Sequence, residues 1–218
     1  MHSQTLKQTA KIVKLDLVGI ASIDRFESLP AEHNPKSIFP ECKSVIVLGK
    51  RVLRGALRGI EEGTNFGSTY GFFGKNVVED NFLAQATYDM TCFIEEQGFE
   101  AVPIFAYNKE ARMDFGIPVA SGKPAPNVIL DPEFTVQAAG LAEIGLGGFM
   151  ITPEFGTRQR FAFILTDCEL EADPVMQKSI CSDCGACIDL CPLKAYGEKT
   201  VKRGVPGAEC EVRELDLS

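Results

Sequence analysis

The sequence predicts a mixed α/β (α+β) core followed by a short cysteine-bearing segment. Three observations carry this. Strand-like β-branched runs alternate with helical periodicity through residue 173. The alternation lacks the strict βαβ rhythm of a doubly wound sheet. Finally, five of the eight cysteines fall between Cys181 and Cys210.

Taken in order, residues 3–14 read as a helix with Ser3 as cap and Leu6, Ala10 and Val13 on one face. "DLVGIAS" and "SVIVLGK" read as buried strands, separated by the proline-rich connection "ESLPAEHNPKSIFPE". The stretch "RGALRGIEEGTNFGSTYGFFG" holds six glycines and reads as a loop, either plain or closing over a ligand. From 76 to 97, apolar residues recur at helical spacing (Val78, Phe82, Ala86, Met90, Phe93, Ile94), and Gly98 supplies a stop. "EAVPIFA" is the next strand, and an irregular Pro/Gly-rich region runs on to Pro132. A shorter helix is expected over 134–144, ended by "GLGG" at 145–148, then strands "FMIT" and "RFAFILTD" around the turn "PEFGTRQ". Asp173-Pro174 marks the expected boundary between a core, 1–173, and a cysteine segment, 174–218.

Composition narrows the function. With 22 basic against 30 acidic residues the net charge is −8 and the pI about 4.9. Nucleic-acid binding draws its affinity from Lys and Arg on phosphates, so a nucleic-acid partner is not expected. Lys50, Arg51, Arg54 and Arg58 read as a solvated face. No apolar run reaches the ~18 residues that span a bilayer, and the N-terminus has no signal-peptide pattern. A cytoplasmic, soluble protein is expected, free to form a homo-oligomer. His2 and His33 are the only histidines, so a Ser-His-Asp or Cys-His hydrolase is disfavoured.

Cys181, Cys184, Cys187 and Cys191, followed by Pro192, fit C-x2-C-x2-C-x3-C-P. Thiolates are soft ligands, and this spacing suits a [4Fe-4S] cluster; zinc sites more often use two separated pairs. In ferredoxin-type pairs the fourth cysteine of such a run serves the other cluster, so Cys191 would point away. Cys210 is the only further thiol in this segment, on what reads as a flexible Gly/Pro tether. The expectation is one cluster and an unfinished second, with Cys210 closing the first cube. Cys42, Cys92 and Cys168 read as buried structural thiols. Gly145, Gly147 and Gly148 are candidates for close backbone approach to a cofactor, helix stop or close packing being the competing reason. Tyr107, Asp114 and Asp131, with Tyr70, are loop residues that could donate a proton to a reduced substrate.

The run "AAGLAEIGLGGFMITPEFGTRQRFAFILTDCELEADP", with the cysteine motif after it, resembles the epoxyqueuosine reductase and reductive dehalogenase superfamily. The matching positions are Ala139, Gly140, Leu141, Ile144, Gly145, Pro153, Phe155, Gly156, Leu165, Thr166 and Asp167. "HNPKSIFPECKSVIVLGKRV" resembles that family's D-P-x-x-L-x-P-x-A-x-S-V-I-V segment. Where the family has W-x-G-K-N, this chain has Glu143-Ile144-Gly145-Leu146-Gly147. The resemblance implies a nitroreductase-like layered core carrying a ferredoxin-like iron–sulfur segment, with cobalamin in the core and Cys210 as a distal-cluster ligand. The implied function is an iron–sulfur oxidoreductase that takes electrons from a redox partner and passes them to cobalamin or a small-molecule substrate. The alternatives are a relay protein that docks a partner enzyme, and a core without cofactor whose cluster is structural.

Overall fold

The computed structural model describes residues 1–106, 117–126 and 128–216. Its centre is a four-stranded antiparallel sheet in the order β1-β2-β6-β3, formed by β1 Leu17–Ser22, β2 Ser44–Arg51, β3 Ala101–Phe105 and β6 Gln159–Thr166. The two short strands between, β4 Glu143–Ile144 and β5 Met150–Ile151, pair with each other. A last hairpin joins β7 Tyr196–Arg203 to β8 Cys210–Leu215.

The near-continuous apolar runs of β2 and β6 follow from burial on both faces. Side chains alternate across a strand. Val45, Val47, Phe161, Phe163 and Leu165 therefore face one core with Phe134, Val136 and Ala138 of α5, Pro132–Ala138. Ile46, Leu48, Ala162 and Ile164 face the other, with Leu6 and Ala10 of α1, Ser3–Ile12, and Ala86, Met90 and Ile94 of α4, Ala84–Glu96. Two single-turn helices, α2 Pro35–Ile38 and α3 Arg58–Glu61, lie in the connections. The result is helix, sheet, helix, in layers.

Two expectations change. The glycine-rich stretch is largely not loop: short helical turns at Arg54–Leu57 and Arg58–Glu61 precede π-helix over Gly67–Asn76, and the expected helix after it begins as π-helix over Val78–Leu83, ahead of α4. Arg160 of β6 ties it down, donating to Gly74 O (3.2 Å) and Tyr70 OH (2.8 Å) and pairing with Glu79 at 3.2 Å. Phe66, Phe72 and Phe73 stay exposed, so no apolar period announces this helix. The wider π turn also rotates Phe82 out to 52% exposure, off the face that a 3.6-residue period assigns it. The second change concerns 134–144. The helix stops at Ala138, Gly140 takes a left-handed φ of 77°, and residues 143–144 become strand. A Cβ on Gly140 would sit 2.3 Å from Pro174 O, so the close passage of the 173–176 segment requires glycine there.

That segment is strapped to the core. Asp173 exchanges backbone and side-chain hydrogen bonds with Ile20 (2.8 and 3.0 Å), and its carboxylate pairs with Lys7. Arg25 donates to the carbonyls of Asp173 (2.7 Å) and Ala138.

Phe163 is fully buried on the central strand β6. Replacing it with alanine should lower the unfolding free energy by about 3–5 kcal/mol in a denaturant titration, with an unchanged m-value.

Candidate metal centre

The C-terminal segment between residues 176 and 185 has almost no regular structure. Its backbone donors must therefore find partners elsewhere. Two fully buried side chains of the core bind this segment and the hairpin turn that follows it. Gln137, in α5, accepts from Val205 N–H at 2.9 Å and donates to Ala208 O (2.7 Å) and Met176 O (3.3 Å). Its backbone carbonyl also accepts from Met176 N–H at 3.2 Å. Glu143, in β4, accepts three consecutive backbone N–H groups: Ser179, Ile180 (2.7 Å) and Cys181.

After β4 the chain turns through Gly145, Leu146, Gly147 and Gly148, with Gly148 N–H on Gly145 O (2.8 Å) and φ of 75° at Gly148. This turn packs against the cysteine run. Leu146 N–H points at Cys181 Sγ, 3.4 Å away. A Cβ on Gly147 would stand 2.9 Å from Cys187 Sγ and 2.8 Å from the Phe149 ring, and one on Gly145 3.6 Å from Cys181 Sγ. The β7–β8 hairpin closes the other side, with Tyr196 OH on Gly147 O (3.0 Å) and Arg213 N–H on Leu146 O (2.8 Å). At Gly147 the close neighbours are the Phe149 ring and the Cys187 sulfur; at Gly145 the closest is the Ile151 side chain, 2.6 Å from where a Cβ would stand, with the Cys181 sulfur behind it. Gly148 makes the turn.

The five thiols have different settings. Cys184 is exposed; Cys181, Cys187 and Cys191 are half-buried; Cys210 is buried. Cys191 turns its sulfur toward the backbone N–H groups of Ala195, Leu193 and Lys194, which draw its pKa below the ordinary thiol value. Cys210 opens β8 opposite Arg203, in an apolar cluster with Ile144 and Val212. Burial pushes its thiol up, against the backbone of Ile144. The expected flexible tether is thus a paired strand, because hairpin pairing satisfies this polar segment's backbone. Burial raises Tyr196 as well, with the neighbouring sulfurs of Cys187 and Cys191 adding to it. Lys178 and Asp183 form an ion pair beside Cys181, raising the lysine and lowering the carboxyl. Gly185, at φ 75°, starts the one-turn helix α6, Ala186–Asp189. All eight cysteines are free, and among the described residues no three His, Cys, Asp or Glu side chains converge on one point as metal ligands.

The remaining candidates fall elsewhere. Tyr107 and Asp114 lie outside the described residues. Asp131 caps α5, its Oδ1 accepting from Phe134 N–H at 3.0 Å. It also lines a cleft of about 240 Å³ with Ser28, Glu133, Phe134, Ile144 and Arg203. Tyr70 serves Arg160. Sequence reasoning passed over Gln137, Glu143 and Tyr196. The one available signal was a lone charge, Glu143, in the apolar run "GLAEIGLGG", since a charge placed in a core needs partners.

A tetrachloroethene reductive dehalogenase from Desulfitobacterium hafniense is 30% identical to this chain over 135 residues, 61% of this chain and 21% of that enzyme. An epoxyqueuosine reductase from Synechococcus sp. (strain CC9605) is 39% identical over 84 residues, 37% of this chain and 26% of the enzyme. Among solved structures, an epoxyqueuosine reductase bound to a modified tRNA-Tyr stem loop superposes with a TM-score of 0.60 at 17% identity, over 88% of this chain and 52% of the other. A catabolic reductive dehalogenase superposes with a TM-score of 0.62 at 15% identity, over 98% and 28%.

This chain is a homologue of the reductive dehalogenases and epoxyqueuosine reductases.

No protein-family model matches the chain. The homologue spans only 21% and 26% of the length of these two curated relatives. What it shares with the solved structures is the mixed α/β fold. No described helix is long and apolar enough to cross a membrane.

Two outcomes follow for this homologue. Gln137→Leu strands Val205 N–H and Ala208 O in a buried setting, and should cost about 2–4 kcal/mol in denaturant unfolding. The thiols should separate by pH. Cys42 is held protonated by burial, its pKa pushed up to about 11, whereas Cys191 ionises below the usual thiol value. In metal-free folded protein at pH 8, peptide mapping after brief iodoacetamide treatment should find Cys191 alkylated well before Cys42. Because the folded state keeps the Cys42 proton, its contribution is full below the unfolded thiol pKa of about 9. It is lost as pH rises through about 11.

Proposed function

We propose that this chain is an iron–sulfur reductase, or the reductase part of a longer one, built on the fold of its relatives. The observation that carries this is the packing of the C-x2-C-x2-C-x3-C-P run against the glycine turn 145–148. Four features of the site favour a thiolate-held cluster over free thiols. The donors are soft and set at the right spacing. Gly147 leaves room at the Cys187 sulfur, where a Cβ would intrude. The Leu146 N–H aims at the Cys181 sulfur, the kind of hydrogen bond that tunes a cluster's potential. The half-buried position of three thiols and the exposure of Cys184 support a group near the surface, where electrons could enter.

In this reading Cys181, Cys184 and Cys187 hold three corners of a [4Fe-4S] cluster, which would supply single electrons. Cys210 closes it in this reading: it sits with Ile144, next to the strip that holds Cys181, while Cys191 turns to the 193–195 backbone. Residues 1–173 form the body, with a nitroreductase-like layering, and 174–218 a ferredoxin-like segment. One related dehalogenase is described as B12-dependent. The cleft of about 240 Å³ beside Asp131 is below the volumes that drug-sized ligands occupy. The electron acceptor in this reading is cobalamin, a small molecule or a partner protein, with a separate redox protein as donor.

A second reading has its own observation. An epoxyqueuosine reductase of this fold is bound to a tRNA stem loop. The net charge of −8 opposes transfer of that role here, and tRNA binding measured against salt decides it.

Anaerobically reconstituted protein should contain iron and sulfide and show broad visible absorption that bleaches on reduction. Cys184→Ser should lose most of that iron while the fold persists by circular dichroism. Iron content unchanged in Cys184→Ser, or zinc in place of iron, contradicts the assignment.

A further inference from the structure

Cys181 is held at both ends by one short strip of the body. Its N–H is bonded by the Glu143 carboxylate, and its sulfur faces the N–H of Leu146, three residues further along that strip. Glu143 is fully buried, and the oxygen that does not bond Cys181 takes the N–H groups of both Ser179 and Ile180. Three consecutive N–H groups converging on one anion form the kind of concavity that elsewhere captures phosphates or sulfide clusters. Here the anion is part of the chain itself.

We propose that Glu143 is the positioning residue of the centre: it shapes the 179–181 backbone before any metal arrives and sets the charge beside the cluster afterwards. This rests on the iron–sulfur reading of the cysteine run. The physical argument has two parts. Residues 179–181 have no strand or helix to satisfy their donors, so the carboxylate takes the place of secondary structure. A loop already in its bound shape gives up less conformational freedom when ligands close on a metal. Second, a fixed negative group within one residue of a ligand sulfur stabilises the oxidised cluster, since net charge and hydrogen bonding set cluster potentials. A tryptophan at this position, as in the family pattern W-x-G-K-N, can do neither, because an indole offers no acceptor for those N–H groups.

The test uses Glu143→Gln in the full chain. The amide keeps one acceptor oxygen and replaces the other with NH2. Whichever way it turns, a donor then faces a donor, at Cys181 or at Ser179 and Ile180. Hydrogen exchange of metal-free protein should show faster exchange at 179–181 in the variant, with protection of β2 and β6 unchanged. After reconstitution, iron loss to a ferrous chelator should be about tenfold faster or more, the usual scale for residues that orient metal ligands. The midpoint potential should move upward, a readout that loosened packing alone does not dictate. Ser179→Pro, which deletes a single donor and leaves the carboxylate intact, should show a smaller change in exchange and iron loss with little change in potential. Equal exchange and equal iron loss in wild type and Glu143→Gln overturn the proposal, as does an unmoved or lowered potential. Wild-type protein that takes up no iron overturns the iron–sulfur reading instead, and the exchange measurement then decides whether Glu143 shapes the loop.

Discussion

The dependence that organises this molecule is the satisfaction of an irregular backbone by two buried polar side chains. Between residues 176 and 185 the chain contributes little apolar surface and almost no secondary structure. Gln137 and Glu143 give it an address on the core, Glu143 through bonds to residues 179–181 and Gln137 through Met176, while Gln137 also fixes the β7–β8 turn at Val205 and Ala208. Such bonds are individually modest when exchanged for water. Once buried, losing one partner leaves the other group desolvated and alone, which is the costly case. The cysteine run is held by directed hydrogen bonds more than by packing.

That arrangement works only if the body is rigid. The β2–β6 pairing through the middle of the sheet, with apolar side chains filling both faces, supplies the rigidity. α5 lies on one face and carries Gln137; the chain leaves it at Gly140 and reaches β4 and Glu143 within a few residues. The two polar anchors are thus close in sequence and fixed to one layer. The strap at 173–176, bound to β1 and α5, brings the cysteine segment back over that layer. Reductive dehalogenases and epoxyqueuosine reductases share the fold.

Electrostatics divides the cysteines into two kinds. Cys42 and Cys168 are buried, their thiols raised by desolvation, and behave as small apolar residues. The thiols of 181–191 sit at a surface edge among backbone N–H groups and glycines, and at Cys191 the N–H groups of Ala195, Leu193 and Lys194 favour thiolate. Cys210 lies between these classes, buried in a strand yet close to Lys178 and Cys181.

Local pattern was enough for the strands 17–22, 44–51, 101–105 and 159–166 and for helix α1, because alternation, β-branched runs and helical spacing are written in neighbouring residues; α5 was legible in kind but not in its end, and the α1 cap fell on His2, not Ser3. The cysteine spacing was equally legible, since it is a local property. The π-helix was not, because its aromatic rings face solvent and leave no apolar period. Nor was the β7–β8 hairpin, whose residues are mostly polar and whose order comes from pairing and from Gln137 and Arg213. The sequence by itself determined which residues could be ligands and which elements could build the core. Tertiary structure alone decided that Glu143, a charge in an apolar run, meets three amides some 36 to 38 positions away. A side chain's partners across such a separation depend on how whole layers pack, and no local pattern encodes that.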